Sequence, residues 1–305
     1  MEKQQVIVIA GPTASGKTKL AIELAKKIDG EIISCDSMQI YKEMDIGTAK
    51  PTKQEQKEIV HHMIDILTPE ERFSVSDYKN MAEKKIEEVL AKGKKPIVVG
   101  GTGLYIDSLI YGIEFVQIDF DEKYRQYLEE RVEKEGLQEL YKEATKIDKE
   151  AMKNISPNDK KRILRVIEIF HQTGMTKTKQ DELSRKNGPK YDYKVFAINL
   201  DREILYERIN ARVDIMQENG LIAEVEKIHK KYNSFPTAMQ GIGYKEVVEY
   251  ILGNINKQEM LEKIKQESRR YAKRQMTWFR KNKEIKWLDG LNDIQNNIKI
   301  ILEEK

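Results

Sequence analysis

Residues 11–18 read Gly11-Pro12-Thr13-Ala14-Ser15-Gly16-Lys17-Thr18 and fit the spacing G-x-x-x-x-G-K-[ST]. These residue types hold polyphosphate. Glycines let the backbone wrap an anion with its N–H groups inward, and a helix N-terminus adds partial positive charge. Lys17 supplies a point charge, and the Thr18 hydroxyl can ligate Mg²⁺. A strand-like run before the loop and helical spacing after it argue against a chance match. The loop does not say whose phosphate it holds. Three further segments could complete a site. Cys35-Asp36-Ser37-Met38-Gln39-Ile40-Tyr41 follows a strand, and ligands in open α/β sheets bind at the carboxyl ends of strands. Asp36 therefore has a functional placement, although an Asx turn or helix cap is equally common there. Asp45-Ile46-Gly47-Thr48-Ala49-Lys50-Pro51 reads as a loop carrying a cation. The three glycines of Gly100-Gly101-Thr102-Gly103 permit close backbone approach and put the Thr102 hydroxyl near the phosphate loop. Alone, that cluster is as readily a tight turn.

Alternating elements must position these loops. Val6–Ala10, Glu31–Cys35, Lys95–Val99 and Lys194–Leu200 read as buried strands. Leu20, Ala21, Leu24, Ala25 and Ile28 give helical spacing from Lys17 to Ile28. Asp77–Ala91 reads as a helix capped by Ser76 with Gly93 past its end, and Asp201 is placed to cap the helix after the fourth strand. Between 119 and 192 strand signals vanish, and charged helices are expected over 122–135, 136–145 and 157–173. The pattern predicts an α/β fold: a P-loop NTPase-like parallel sheet flanked by helices, interrupted by a helical insertion domain. The core then comprises 1–118 and 193–305, mostly helical after 201, and the insertion 119–192.

Length and composition agree with this plan. A chain of 305 residues suggests two domains. With 39% hydrophobic and 34% charged residues it is neither collagenous, nor Gly/Pro-rich disorder, nor a membrane bundle. No apolar run approaches a membrane span, and no signal peptide is evident. The single cysteine, Cys35, excludes an internal disulfide or thiolate cluster, and nothing cationic nearby suggests an activated thiol. A cytoplasmic protein is expected. His61 and His62 are adjacent, so their side chains diverge, and they lack a third ligand at metal spacing. Structural or substrate-lining roles suit them better.

Net charge is only +3, but it is unevenly spread. Residues 145–190 carry twelve Lys/Arg against six Asp/Glu, and residues 265–286 carry nine against two. Solvated helix faces would explain either run alone. Both together, with aromatics interleaved, tilt toward a polyanionic partner. On a helix Arg270, Lys273, Arg274 and Thr277 share one face, which suits RNA. Tyr271, Gln275 and Trp278 share another, partly core.

The chain resembles the tRNA dimethylallyltransferases, also called tRNA isopentenyltransferases, in their bacterial form. The matching segments are GPTASGKT (11–18), DSMQIY (36–41), DIGTAKP (45–51), HHMIDI (61–66), GGTGLY (100–105), DKKRILRVIE (159–168), QGIGYKE (240–246) and RRYAKRQMTWFR (269–280). They run in family order along nearly the whole chain. The resemblance implies transfer of a dimethylallyl group from dimethylallyl diphosphate to the exocyclic amine of the adenosine 3′ of the anticodon. The tRNAs would be those reading codons that start with U. Gly11 to Thr18 then hold an isoprenoid diphosphate, with Mg²⁺ on Thr18.

The adenine amine is a poor nucleophile, and a carboxylate that orients it and takes its proton does general-base work. The family motif implies Asp36 for that task. Diphosphate gains charge as it leaves, and Lys17, Mg²⁺ and a further cation should stabilise it. Arg208 and Arg212 share a helical face, and spacing alone favours a surface pair bonding Glu207 or Asp214. The resemblance points to Arg212, with Thr102 completing the oxyanion contacts. The acceptor base must flip out of its stack. Ser37, Met38, Gln39 and Tyr41 are close enough in sequence to line its pocket, Gln39 with an amide suited to an adenine edge, while Met38 and Tyr41 could equally be core. The resemblance assigns tRNA contact to Asp159, Lys160, Lys161, Arg162 and Arg165 in the insertion; Arg270 and Arg274 would join them near the loop 241–245. It favours a monomer. The competing readings are an ATP-dependent small-molecule kinase, whose phosphate loop looks identical, and a non-catalytic RNA-binding protein.

Overall fold

The computed structural model describes residues 3–115 and 121–304. Six strands form one sheet: β1 (Gln5–Ala10), β2 (Gly30–Cys35), β3 (His61–His62), β4 (Lys95–Gly100), β5 (Asp192–Asn199) and β6 (Lys286–Asp289). Their order is β3-β2-β4-β1-β5-β6, and every pairing is parallel. Register decides where the site lies. Gly100 pairs with Ala10 on one side and with Cys35 on the other. The residues that follow each of these three strand ends therefore emerge side by side: the phosphate loop, Asp36, and Gly101-Thr102.

Both faces of the sheet are covered, as β-branched central strands require. On one face Tyr78, Ala82 and Ile86 of the helix Val75–Ala91 and Ile106 and Leu109 of Gly103–Ile110 pack on Val6, Val8 and Val98. On the other, Leu20, Ala21, Leu24 and Ala25 of Lys17–Ile28 and Ile298 and Ile301 of Ile294–Glu303 pack on Ile9, Ile32, Ile97 and Phe196. Each fully buried Leu or Ile here contributes about 1.5–3 kcal/mol relative to exposure. Helices from the C-terminal third build a further core around Ile40, Tyr41 and Met44.

The chain divides into two compact units, Met1–Ile110 with Lys190–Lys305, and Tyr111–Pro189. The second unit has its own core of Leu128, Leu140, Ala144, Met152, Ile163, Leu164 and Ile167. Its main helices are Glu122–Glu135, Leu137–Ile147 and Lys160–Thr173, with the short helices Lys149–Met152 and Lys177–Ser184. The sequence boundary at 118/119 lies outside the described residues. The unit starts earlier because Glu114 N–H donates to the Ser184 carbonyl (2.7 Å) and Asn187 Nδ2 donates to Glu114 Oε1 (2.7 Å).

One local expectation needs correction. Ser74, not Ser76, caps Val75–Ala91: its hydroxyl accepts Asp77 N–H at 3.2 Å while Asp77 accepts Ser74 N–H at 2.8 Å. The stretch after 201 is mostly helical, as expected, and also supplies Lys286–Asp289, which completes the sheet edge against β5. His61–His62 form the opposite edge strand, paired with Ile32 and Ile33. Both edge strands are too short to carry an alternation of their own.

Candidate active site

Lys17, Thr18, Asp36 and Arg212 meet at the carboxyl edge of the sheet, around a cavity of about 400 Å³. The phosphate loop supplies Thr13, Lys17 and Thr18 to its wall. Gly16 sits at φ 94°, a left-handed conformation that only glycine adopts cheaply, and it starts the helix Lys17–Ile28 there. Lys17 Nζ donates to the Pro12 carbonyl at 2.7 Å, across the loop. Burial, reinforced by the neighbouring Arg212 guanidinium and opposed by Asp36, lowers the Lys17 ammonium to about 7. Arg212 is itself held below its usual range by burial. Arg208, one turn earlier, is exposed and lines only a second cavity, which Arg212 also borders. The structure thus separates two arginines that spacing left equivalent.

Asp36 combines both sequence readings. Its Oδ1 accepts Met38 N–H (2.8 Å) and Gln39 N–H (3.3 Å), an Asx-type turn. Its side chain also faces the cavity. Oδ2 takes no hydrogen bond from the described residues, which leaves it available to a ligand. Thr102 is placed by the register of β2 and β4, and its Oγ1 accepts Ser37 N–H at 3.2 Å. The hydroxyl expected beside the phosphates therefore ties the Asp36 turn to the end of β4. The Gln39 amide, expected to be open to a base edge, is engaged within the protein. Its Oε1 accepts Ser34 Oγ–H (3.1 Å) and its Nε2 donates to the Thr48 and Ala49 carbonyls (both 3.3 Å). Tyr41 is fully buried core, whereas Met38 lines the cavity.

Loop 45–51 forms another wall, and tertiary contacts hold it. The Lys50 ammonium is buried and donates to Asp45 Oδ1 (2.6 Å), Asp65 Oδ1 (2.6 Å) and the Tyr41 carbonyl (2.9 Å). This cation serves the loop and not a ligand. The Glu224 carboxylate accepts the N–H groups of Asp45, Ile46 and Gly47 at 2.8–3.1 Å, and the Tyr244 hydroxyl at 2.7 Å. Sequence reasoning missed Glu224, whose backbone partners lie almost 180 residues away.

The two histidines diverge. His62 Nε2 lies 2.7 Å from the buried Glu31 carboxylate. His61 bonds the Ile59 carbonyl through Nδ1 (2.7 Å), which fixes the proton there, and it lines the cavity. Its Nε2 is buried with no partner among the described residues. Desolvation holds the ring below its usual pKa, which favours its neutral form. Cys35 is fully buried and its thiol is pushed far up by burial, which makes it inert.

From the helix Lys257–Phe279, Tyr271, Arg274 and Gln275 reach the cavity. Arg270, Lys273, Arg274 and Thr277 are exposed along that helix, as the spacing predicts. Burial and the nearby Asp36 carboxylate push the Tyr271 phenol up to about 12. In the other compact unit Asp159 caps Lys160–Thr173 by accepting Arg162 N–H at 3.1 Å. Lys161, Arg162 and Arg165 are exposed and Lys160 half-buried. Arg162 and Arg165 pair loosely with Asp159 (3.4 Å) and Glu168 (3.6 Å).

Among the described residues no group of three His, Cys, Asp or Glu is arranged for a metal ion. Mg²⁺ takes few protein ligands and prefers phosphate oxygens and water. The Thr18 hydroxyl on a diphosphate-sized cavity fits that preference. No helix among the described residues is long and apolar enough to cross a membrane.

An anion cradle, an inward arginine and the Asp36 carboxylate at the carboxyl edge of a parallel sheet define a phosphate-loop α/β protein. Comparison with known proteins narrows that class. Residues 39–282 match the family model described as IPP transferase. The chain is 50% identical to the tRNA dimethylallyltransferase of Acetivibrio thermocellus, over 97% of this chain and 95% of that one. It is 41% identical to the crystal structure of the full-length tRNA isopentenylpyrophosphate transferase from Bacillus halodurans, at a TM-score of 0.74, covering 99% and 95% of the two chains. A eukaryotic dimethylallyltransferase acting on tRNA superposes at a TM-score of 0.81 with 30% identity, over 98% of this chain and 79% of that one. The chain belongs to the tRNA dimethylallyltransferase family.

Proposed function

We propose that this protein transfers the dimethylallyl group of dimethylallyl diphosphate to the exocyclic amine of the adenosine 3′ of the anticodon. The tRNAs are those reading codons that start with U; the products are N6-isopentenyladenosine and diphosphate. The observation that carries the reading is one cavity in which the phosphate loop and Arg212 face Asp36, whose Oδ2 takes no hydrogen bond from the described residues. Met38, Val213, Met216 and Ile242 supply apolar wall for an isoprenoid tail.

In this mechanism the adenosine N6 forms a bond to the allylic carbon as that carbon's bond to oxygen breaks. The electron pair leaves with the diphosphate, and the N6 proton passes to Asp36 Oδ2. Met38 and Gln39 N–H hold Oδ1, so the acceptor oxygen is oriented before substrate arrives. Lys17, Arg212 and the free N–H groups at the start of the helix Lys17–Ile28 receive the growing charge. Thr102 acts by fixing the Ser37 backbone next to Asp36. Thr18 would hold Mg²⁺ through its hydroxyl, and the ion would supply further charge neutralisation. His61 lines the same cavity.

Each compact unit carries a basic surface for the anticodon arm. Lys160, Lys161, Arg162 and Arg165 form one; Arg270 and Arg274 belong to the other. The protein acts as a monomer, and its tRNA substrate places the reaction in the cytoplasm.

The test is incubation with labelled dimethylallyl diphosphate, Mg²⁺ and unmodified tRNA, followed by mass analysis of the nucleosides. Labelled N6-isopentenyladenosine is expected. Unlabelled tRNA alongside robust phosphoryl transfer from ATP would install the kinase reading instead.

A further inference from the structure

Gln275 lies on the basic helix Lys257–Phe279 but points away from its Arg270–Lys273–Arg274 side and is 6% exposed. Its carboxamide joins two loops of the site. Oε1 accepts Thr13 N–H at 2.9 Å, and Nε2 donates to the Gly101 carbonyl at 2.9 Å. These partners are 262 and 174 residues away in sequence. The approach requires glycine at 101, because a Cβ there would stand 2.2 Å from Nε2. Thr13 N–H is thereby taken by a protein group, and the first half of the phosphate loop is anchored to a distant helix. Two neighbours strengthen the docking of that helix. The Tyr271 hydroxyl lies beside Thr102 and Asp36, and Trp278 Nε1 donates to Asp107 Oδ2 at 2.9 Å.

We propose that Gln275 is a positioning residue: by clasping Thr13 and Gly101 it sets the spacing between the anion cradle and the turn after β4, and so sets diphosphate affinity. The proposal rests on the reading that the phosphate loop holds a diphosphate. Neither half of the clasp can be supplied by an apolar side chain. A carboxylate can supply the acceptor half but not the donor half.

The experiment uses the full chain. Binding of inorganic diphosphate with Mg²⁺ is measured by calorimetry, and binding of an anticodon stem-loop RNA by fluorescence anisotropy. Gln275→Leu removes both hydrogen bonds and should raise the diphosphate Kd about tenfold or more, with the RNA Kd unchanged within about threefold. Gln275→Glu, nearly isosteric, serves where the leucine variant fails to fold. It should weaken diphosphate at neutral pH. Relative to wild type at the same pH it should recover toward pH 5, where a protonated acid again donates to the Gly101 carbonyl. An unchanged diphosphate Kd in either folded variant overturns the proposal. So does an equal loss of RNA and diphosphate binding, or a glutamate variant without pH recovery. A wild type that binds diphosphate but leaves tRNA unmodified refutes the proposed function and not the clasp. A wild type that modifies tRNA while Gln275→Leu binds diphosphate normally refutes the clasp alone.

Discussion

Replacing Asp36 by asparagine isolates the proton-accepting role, because the two roles of this side chain reside on different oxygens. Oδ1 holds the turn through Met38 and Gln39 N–H, and an asparagine carbonyl accepts both bonds equally well. Alanine would lose them, at about 0.5–1.5 kcal/mol each, and would confound chemistry with loop geometry. The other position of the asparagine amide is an NH₂ group, which donates and cannot take a proton. General-base assistance is worth about 10²–10⁴ in rate, or about 3–5 kcal/mol at 1.36 kcal/mol per tenfold. The assay is a single-turnover experiment with saturating dimethylallyl diphosphate and tRNA, quenched on the chemical step, with the tRNA Kd measured in parallel. We expect a single-turnover rate about 10²–10⁴ lower and tRNA binding within about twofold of wild type. A wild-type rate would refute Asp36 as the base. A normal rate constant hidden behind lost tRNA binding would refute it equally, by moving Asp36 from the reaction to recognition.

Arg212→Ala should weaken diphosphate binding by roughly tenfold or more, as loss of a charge-assisted contact implies. Arg208→Ala should change it less than about threefold; equal effects would dissolve the distinction drawn from their burial. Lys17, lowered to about 7 by burial and by Arg212, is largely neutral in the free protein above that pH and protonated below it. Binding a fully ionised, unreactive allylic diphosphate analogue near pH 8 should therefore draw a proton onto Lys17. Calorimetry in buffers of different ionisation enthalpy reads that uptake, and Lys17→Arg, charged throughout, should abolish it. Arg162→Ala with Arg165→Ala should weaken tRNA binding and flatten its salt dependence by a slope of about 1.5; an unchanged slope would remove both from the RNA surface.

Much of the α/β core was legible because its signals are local. The run Val6–Ala10, the phosphate motif and the spacing of Leu20, Leu24 and Ala25 each lie within one element and its flanking loop. They specify a strand, an anion loop and a helix before any partner is known. Asp36 was legible for the same reason, as a carboxylate at the end of a strand. The two cationic surfaces appeared as composition, since exposed residues are not constrained by what they pack against. Features that depend on non-local partners were not legible. Arg208 and Arg212 have the same spacing pattern, and only packing of the helix Arg202–Glu218 turns one inward and leaves the other in solvent. Gln39 and Lys50 looked available for substrate until the fold supplied carbonyl and carboxylate partners. Glu224 and Gln275 carried no signal, because a hydrogen bond to a backbone group far along the chain leaves no local pattern. The edge strands His61–His62 and Lys286–Asp289 exist only through pairing with β2 and β5. Sequence alone determined the elements and the chemical groups at their ends. Tertiary structure decided which of those groups remain free, since a polar side chain is spent or available according to what the fold brings within about 3 Å of it.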